Sequence, residues 1–449
     1  MSESQPLLTE PIPRMMRSIA LPASIGYLFN TLYNIVDSWF AGRISTDALG
    51  ALGLSFPIFF AVIAVASGLS TGVSALIANA IGSGQHQGAR QLATKAVTFA
   101  LLTSALVAIG GILATPWMFR WLGAAPEPAR LGTQYMTIIF GGSVFFNLNH
   151  IFNSFLVVRG DTQTYRNVLM TGVALNMILN PWFIHGGFGI PAMGFKGIAI
   201  STVLIQCMAA FYMYTRAWKR GAMTEWTRKT MHLTRDAAIE ITRQSVPAML
   251  NMMTIGIGIL VLTYFVNEYG TAAIAAYGIA TRIEQIILLP AIGLNMAVLA
   301  LVGQNNGAGR HDRARESVLV ALRFGLLVLA PAILLMLVWP RYALSLFTND
   351  AEVIAIGSNY LRVAAFLTYA YVLLFTLTAA LQAIKRPMYA VWIGLYRQII
   401  APVIIIYTLS RLTGLGLWSV WISVAITTWS SALYTLWYAN RIAKPENPD

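Results

Sequence analysis

Long apolar stretches, separated by short polar segments, run through the whole chain. Most of them reach the ~20 residues that a membrane-spanning helix needs. They are continuous runs without the ten-residue alternation of barrel strands, so the pattern favours helices. Twelve windows hold few or no charged residues: 18–36, 48–89, 96–119, 131–158, 167–195, 197–215, 244–267, 269–309, 324–340, 363–384, 387–410 and 412–440. The pattern predicts an all-α polytopic membrane protein with twelve transmembrane helices.

The number and placement of the charged residues support this prediction. Only 10% of the residues are charged, whereas soluble domains carry about 25%. If the N-terminus is cytoplasmic, 21 of the 30 Lys and Arg residues lie on the cytoplasmic side, as the positive-inside rule requires. We therefore expect both termini in the cytoplasm and, without a cleavable-signal pattern, a retained first span. The net charge of +13 then reflects topology, and the expected partners are membrane lipids and not nucleic acid.

The second half of the sequence repeats the first. With a shift of 225 residues and no gaps, 20 of the 69 positions in 22–90 match those in 247–315, which indicates a duplicated unit. Six spans per half is an even number, so the repeats are parallel. The identical pairs include Pro22/Pro247, Gly53/Gly278, Gly68/Gly293 and His86/His311, and the same shift pairs Tyr135 with Tyr360. We predict an N-lobe of spans 1–6 at 1–215, a basic cytoplasmic linker at 216–243 and a C-lobe of spans 7–12 at 244–449.

The charged residues inside the spans are not repeated between the two halves. Asp37 pairs with Leu262, and Arg282 and Glu284 also pair with uncharged residues. Shared glycine, alanine and proline residues serve close helix packing and bends. The unshared charges therefore mark positions at which the two halves took separate roles.

Asp37 is the only acidic residue in the apolar stretch from Ser18 to Phe40. A carboxylate at the centre of a bilayer costs roughly 3 kcal/mol on insertion scales, so it usually faces the protein interior and marks a functional site. The alternative is a residue at the end of the span that reaches the headgroups, which short Asp does less readily than Lys or Arg. We interpret Asp37 as a functional group.

Amides in the fifth span are candidates for the same site. Asn176 and Asn180 are four residues apart and share a helical face. Their side chains can coordinate a cation through oxygen or donate hydrogen bonds to a carboxylate, and the alternative is polar packing between helices. Thr202 of the sixth span adds a hydroxyl. Pro22 either weakens the first span and lets it bend or occupies its first turn.

Further candidates lie in the second half and around a cavity. Arg282 and Glu284 stand about 200° apart on a helix and do not face each other. Glu284 could bind a cationic substrate or a proton, or form a structural ion pair, for example with Arg397. Tyr33 and Tyr135, with several methionines, are candidates for lining a substrate cavity, and their alternative role is core packing.

The sequence contains no nucleotide-binding, zinc-protease or paired-cysteine motif. GxxxxGK[ST], HExxH and CxxC are missing, and the lone Cys207 matches no metal-ligand spacing. We therefore expect neither an enzyme nor a cofactor. Energy for uphill transport would have to come from an ion gradient. An intramembrane carboxylate beside amides holds H⁺, Na⁺ or a cationic substrate, but only one of them at a time.

Six segments carry a resemblance to a known family. They are YNIVDSWFAG at 33–42, ALGALGLSFPI at 48–58, GLSTGVSALIANAIGSG at 68–84, RGDTQT at 159–164, NMILNP at 176–181 and YGIATRIEQ at 277–285. The sequence resembles the multidrug and toxic compound extrusion (MATE) transporters over about residues 12–440. The first and last segments resemble the DinF-like branch most.

The resemblance implies a fold and a mechanism. The expected fold is the V-shaped MATE arrangement of two six-helix lobes. The expected activity is export of cationic or amphipathic drugs by alternating access, as an antiporter with inward H⁺ or Na⁺ flow. On this resemblance Asp37, Asn176, Thr202 and Tyr135 fall in the N-lobe cation site, and Pro22 matches the proline that bends the first helix.

One departure bears on the coupling ion. The branch commonly has a second aspartate where this chain has Asn180. A single carboxylate weakens a Na⁺ site, because a hard cation favours anionic oxygen ligands. Proton coupling through Asp37 is therefore favoured over a Na⁺ site at Asp37, Asn176 and Asn180.

We predict from the sequence a cation-coupled multidrug antiporter of the bacterial inner (cytoplasmic) membrane, acting as a monomer in xenobiotic efflux. The first alternative is a lipid-linked precursor flippase of the same wider superfamily. A flippase would need a strongly basic central cavity, and Arg282 and Arg397 are the only obvious arginines in the spans. An intramembrane enzyme and a passive channel fit the sequence less well.

Overall fold

Helices make up nearly all of the structure, a computed structural model that describes residues 5–224 and 226–443. A π-helical turn at Tyr396–Ile400 joins α15 to α16. The helices are α1 Pro6–Thr9, α2 Ile12–Ile44, α3 Thr46–Gly82, α4 His86–Trp121, α5 Pro126–Gly141, α6 Ser143–Val157, α7 Gln163–His185, α8 Phe195–Lys219, α9 Arg228–Met231, α10 Arg235–Asn267, α11 Thr271–Gly307, α12 His311–Val338, α13 Pro340–Ser345, α14 Ala351–Ala383, α15 Met388–Leu395, α16 Ala401–Thr413 and α17 Trp418–Ala443.

Ten helical segments are long and apolar enough to cross a membrane, with Met388–Thr413 counted as one segment. The fourth predicted span is present as α5 and α6, which are interrupted at Gly142. A side chain at Gly142 would meet Val203 of α8, since a Cβ there would lie 2.5 Å from Val203 Cγ2. The twelfth predicted span coincides with α17, whose many serine, threonine and tryptophan residues lower its mean hydropathy. The chain is therefore an all-helical, multi-pass membrane protein.

The chain divides into two compact units whose boundaries fall inside two helices. The N-terminal unit is Ile25–Met249, and the C-terminal unit takes the chain up to Ser24 and from Leu250 onward. These boundaries differ from the predicted lobes at 1–215 and 244–449, because the first turns of α2 and of α10 each belong to the other half's unit. Both boundaries lie two residues past a proline, Pro22 or Pro247, and they are separated by the 225-residue repeat.

The N-terminal segment is docked in the C-terminal unit. Leu7 and Leu8 of α1 are buried. Two arginines of the turn and helix that follow α11 hold the segment by its backbone: Arg310 Nη1 donates to the Leu8 carbonyl over 2.7 Å, and Arg313 donates to the Glu10 carbonyl. These contacts explain why the segment before α2 belongs to this unit.

Two repeated glycines permit close helix crossings, one within each unit. A Cβ at Gly68 of α3 would lie 2.4 Å from the Met249 backbone nitrogen of α10. A Cβ at Gly293 of α11 would lie 2.5 Å from the Ala20 carbonyl oxygen of α2 and would also meet Ser24. Backbones that approach this closely accept no side chain larger than hydrogen.

Short polar side chains fix where several helices begin. Ser45 caps α3 by accepting a hydrogen bond from the Ala48 backbone N–H over 3.0 Å, which satisfies a donor that the helix leaves unpaired. Asp161 of the RGDTQT segment, one residue before the N-cap of α7, accepts a hydrogen bond from the Thr164 N–H in the first turn of that helix over 3.0 Å. It also forms an ion pair of 3.1 Å with Arg220. The segment thus has a structural role at the start of α7.

Candidate coupling site in the N-terminal unit

Asp37 lies on α2 with its carboxylate turned towards α7, and its side chain is 5% exposed. Asn176 Nδ2 and Asn180 Nδ2 each donate to Asp37 Oδ1 over 2.9 Å. Both amides are fully buried. The spacing of four residues places both amides on the face of α7 that meets Asp37, as the sequence predicted. Asp37 is therefore an interior group of the unit and does not reach for the headgroups.

The oxygens of the two amides are already used within the protein. Asn176 Oδ1 accepts from Asn180 Nδ2 over 3.1 Å, and Asn180 Oδ1 accepts from the Ser201 hydroxyl. The Ile198 carbonyl oxygen, 3.0 Å from Ser201 Oγ, is a second acceptor that shares the one hydrogen of this hydroxyl. The amides thus present N–H groups to the carboxylate, and their oxygens face other donors. Such an arrangement stabilises an anionic carboxylate and offers few oxygen ligands to a metal cation.

Thr202, Tyr33 and Tyr135 border the same cluster. The Tyr33 hydroxyl donates to Thr202 Oγ1 over 3.2 Å, and the Thr202 hydroxyl lies close to Asp37. Tyr135 of α5 is buried and stacks on Phe195 at 5.3 Å between ring centroids. The structure thus brings together the residues predicted for the cation site and adds Tyr33, which was predicted for a substrate cavity.

Ser201 is the polar residue of the cluster that the sequence reasoning missed. It immediately precedes Thr202, and it is fully buried. Neighbouring positions on a helix are about 100° apart, so the two hydroxyls reach different partners. In the sequence, Ser201 is only the first residue of a Ser-Thr dipeptide in an apolar span. This is a weak signal, because Ser and Thr hydroxyls in helices commonly bond to carbonyls of their own helix.

Pro22 lies in the interior of α2, because the helix begins at Ile12 and continues to Ile44. The alternative that Pro22 occupies the first turn is therefore wrong. A proline at this depth removes one backbone hydrogen bond of the helix and weakens its ladder. It does so about four turns before Asp37 on the same helix.

The charged residues of the second half lie in the C-terminal unit and are not part of this cluster. Arg282 is exposed, whereas Glu284 is 7% exposed and accepts a hydrogen bond from the Tyr360 hydroxyl over 2.7 Å. Arg397, the ion-pair partner considered for Glu284, places its guanidinium 5.5 Å from the ring centroid of Tyr371 and 6.0 Å from that of Phe375.

An all-helical membrane protein with a duplicated unit and a buried carboxylate in a polar cluster has the features of a membrane transporter. The sequence profile of the MatE family matches residues 22–182 and 247–408. The chain belongs to this family.

Individual relatives cover almost the whole chain. The probable multidrug resistance protein YoeA of Bacillus subtilis (strain 168) is 26% identical over 430 residues, which is 94% of this chain and 93% of YoeA. The FAD transporter of Shewanella oneidensis is 28% identical over 404 residues, or 89% of this chain and 88% of the relative. The fold matches an outward-facing multidrug resistance MATE transporter of the MOP superfamily with a TM-score of 0.90, 22% identity and coverage of 99% and 98%. The chain is a transporter of the MATE family and not an enzyme.

Proposed function

We propose that the chain is a proton-coupled antiporter that exports cationic or amphipathic drugs and that Asp37 binds the coupling proton. One observation carries the proposal: two amide N–H groups converge on Asp37 Oδ1 while both amide oxygens accept from other protein donors. A Na⁺ ion would need those oxygens as ligands. A proton needs only the carboxylate.

Protonation of Asp37 would change its hydrogen bonds to α7. The charge-assisted bonds from Asn176 and Asn180 are about twice as strong as bonds to a neutral acceptor, so a proton on Asp37 weakens the contact between α2 and α7. Proton binding and the position of α2 are therefore linked, and Pro22 weakens the same helix. A cationic drug and a proton compete for one negative charge, which makes the exchange obligatory.

The proposal includes a location and an assembly. The chain would act as a monomer in the inner membrane with both termini in the cytoplasm. The cytoplasmic excess of Lys and Arg supports that orientation.

An anionic substrate is the second candidate, and the relative described as an FAD transporter favours it. Such a substrate needs cationic side chains, and Arg397 is a cation within the spans that lies over the rings of Tyr371 and Phe375. A panel of one cationic dye, one zwitterionic drug and FAD distinguishes the two classes. Export of FAD alone would overturn the proposed substrate class. Transport of a lipid-linked precursor finds no comparable support.

The coupling ion is tested with the purified chain in vesicles that contain a cationic dye. A pH gradient or a Na⁺ gradient is imposed separately, and each is collapsed with its own ionophore. We expect efflux under the pH gradient and none under the Na⁺ gradient. Efflux that follows the Na⁺ gradient alone would overturn proton coupling.

Restoring a second carboxylate should change the response to Na⁺. Asn180→Asp places a second anionic oxygen donor beside Asp37, and hard cations bind such pairs better than a carboxylate with an amide. We expect efflux that is stimulated by a Na⁺ gradient, measured in the same vesicles. Asn267→Asp, at the exposed end of α10, is the matched control. If Na⁺ has no effect on Asn180→Asp, the number of carboxylates does not decide the choice of ion.

A further inference from the structure

Glu284 of α11 is a second buried acid, and one of its oxygens is unsatisfied. Oε2 accepts from the Tyr360 hydroxyl of α14 over 2.7 Å. Oε1 is buried and has no hydrogen-bond partner among the residues that the structure describes. A buried carboxylate oxygen without a partner is costly. The side chain therefore needs a ligand that the protein itself does not supply in this arrangement.

The surroundings of Glu284 are aromatic and contain one cation. Tyr360 lies edge-on to Tyr277 at 5.4 Å and to Trp421 at 4.8 Å between ring centroids. Arg397 lies in the π-helical turn and is held over the rings of Tyr371 and Phe375. The titratable and charged groups that face Glu284 are Tyr277 on its own helix, Tyr360 and Tyr371 on α14, and Arg397.

The repeat relates these residues to the Asp37 cluster. Tyr360 is the repeat partner of Tyr135, which borders Asp37. Arg397 stands five residues before Pro402, just as Asn176 stands five residues before Pro181. Each unit thus has an acid beside the repeated tyrosine. In the N-terminal unit the acid comes from α2, and in the C-terminal unit it comes from α11.

We propose that Glu284 is a second proton-binding site, located in the C-terminal unit, with Tyr360 as its hydrogen-bond donor and Arg397 as its counter-charge. The site goes beyond the role proposed for Asp37 and does not depend on it. The step is a reversible protonation, in which a proton binds to the Glu284 carboxylate and later leaves from the same oxygen.

The composition of the site selects a proton over other cations. The described residues contain no group of three or more His, Cys, Asp or Glu side chains that could hold a metal ion. Arg397 would repel a metal cation or a cationic drug, and it stabilises the deprotonated acid instead. A proton neutralises Glu284 without adding a ligand that must fit among the rings.

Proton binding at Glu284 is expected to decide which partner Arg397 prefers. With Glu284 charged, the unpartnered Oε1 is an acceptor for the guanidinium, and a buried ion pair needs such a partner. With Glu284 neutral, the guanidinium retains the faces of Tyr371 and Phe375. π-helical turns such as Tyr396–Ile400 are frequently located at functional sites, and this turn carries the residue that would change partners.

Infrared difference spectroscopy of the full-length chain in lipid tests the proposal. Spectra at about pH 5.5, above the ordinary range of exposed carboxyl groups, are compared with spectra in alkaline buffer. The C=O band of protonated acids should contain a component that Glu284→Gln removes and Asp37→Asn leaves in place. Glu268→Gln, an exposed acid of the same unit, is the control and should leave the band unchanged.

Tyr360→Phe keeps the acid and removes its hydrogen bond, so it tests the site even if Glu284→Gln does not fold. The Glu284 component should shift in frequency, because the carboxyl group loses the hydrogen bond from the Tyr360 hydroxyl. If the band is the same in the parent chain, Glu284→Gln and Tyr360→Phe, Glu284 has only a structural hydrogen bond and the proposal is overturned. A failure of proton coupling at Asp37 would instead remove the Asp37 component and leave this one.

Discussion

Asp37→Asn should abolish efflux driven by a pH gradient while the chain still folds. Asn has the same shape, and its oxygen can still accept from Asn176 and Asn180, whose donors lie 2.9 Å from Asp37 Oδ1. An amide does not bind a proton in the working pH range, so the exchange loses its ion. We expect dye efflux to fall to the level of vesicles without protein. Thermal unfolding of the purified variant checks that the fold is retained.

A matched variant separates the loss of this acid from a general effect of charge. Asp47 lies in the exposed first turn of α3, outside the polar cluster. Asp47→Asn should transport as well as the parent chain. Full efflux by Asp37→Asn, with normal stability, would show that this carboxylate does not carry the coupling.

Valine at Gly68 or at Gly293 should prevent the chain from accumulating as a folded protein. The added side chain would overlap Met249 in the first case and Ala20 in the second, because even a Cβ would lie 2.4 Å from the Met249 backbone nitrogen or 2.5 Å from the Ala20 carbonyl oxygen. Overpacking of a tight contact costs about 1–3 kcal/mol and occasionally more. Backbone atoms cannot move aside as a flexible side chain can. We therefore expect a loss of stability at the upper end of this range or above it. Monodispersity on gel filtration and the thermal midpoint measure the effect.

The repeat supplies the control for both substitutions. Gly53 and Gly278 are also a repeated pair in the same two helices, and a Cβ at either would have nothing within 4 Å. Gly53→Ala and Gly278→Ala should therefore keep the parent stability, or raise it slightly through helix propensity. Equal losses at all four positions would mean that glycine is needed for helix flexibility and not for the close crossings.

The sequence predicted the helical class, the spans and the location of the acid well, because each depends on local composition. Asp37 could be identified because a carboxylate inside the membrane has a high free-energy cost. Asn176 and Asn180 could be assigned to one face from their spacing. The family resemblance then assigned Asp37 of the first span and Asn176 of the fifth span to one site. No local sequence pattern could have made that assignment. Whether the amides present oxygens or N–H groups to Asp37 required the positions of Ser201 and of neighbouring donors.

Other features depend on contacts between segments far apart in the chain. The polar residues 5–10 contain nothing that predicts Arg310 and Arg313 as partners, because both arginines bind backbone carbonyls, which every residue offers. The unpartnered oxygen of Glu284 could not be predicted either, because the sequence was equally consistent with an ion pair between Glu284 and Arg397. In the structure the guanidinium of Arg397 lies over the rings of Tyr371 and Phe375, and Glu284 Oε1 accepts no hydrogen bond from the described residues.

The exchange of helix ends between the two units has an evolutionary consequence. The opening turns of α2 belong with the later half of the chain, and those of α10 belong with the earlier half. A single ancestral half would have found those partners only on another copy of itself, as in a domain-swapped dimer. In this chain the exchange takes place within one molecule. Neither half of this protein should fold when it is synthesised alone, and co-expressed halves should assemble.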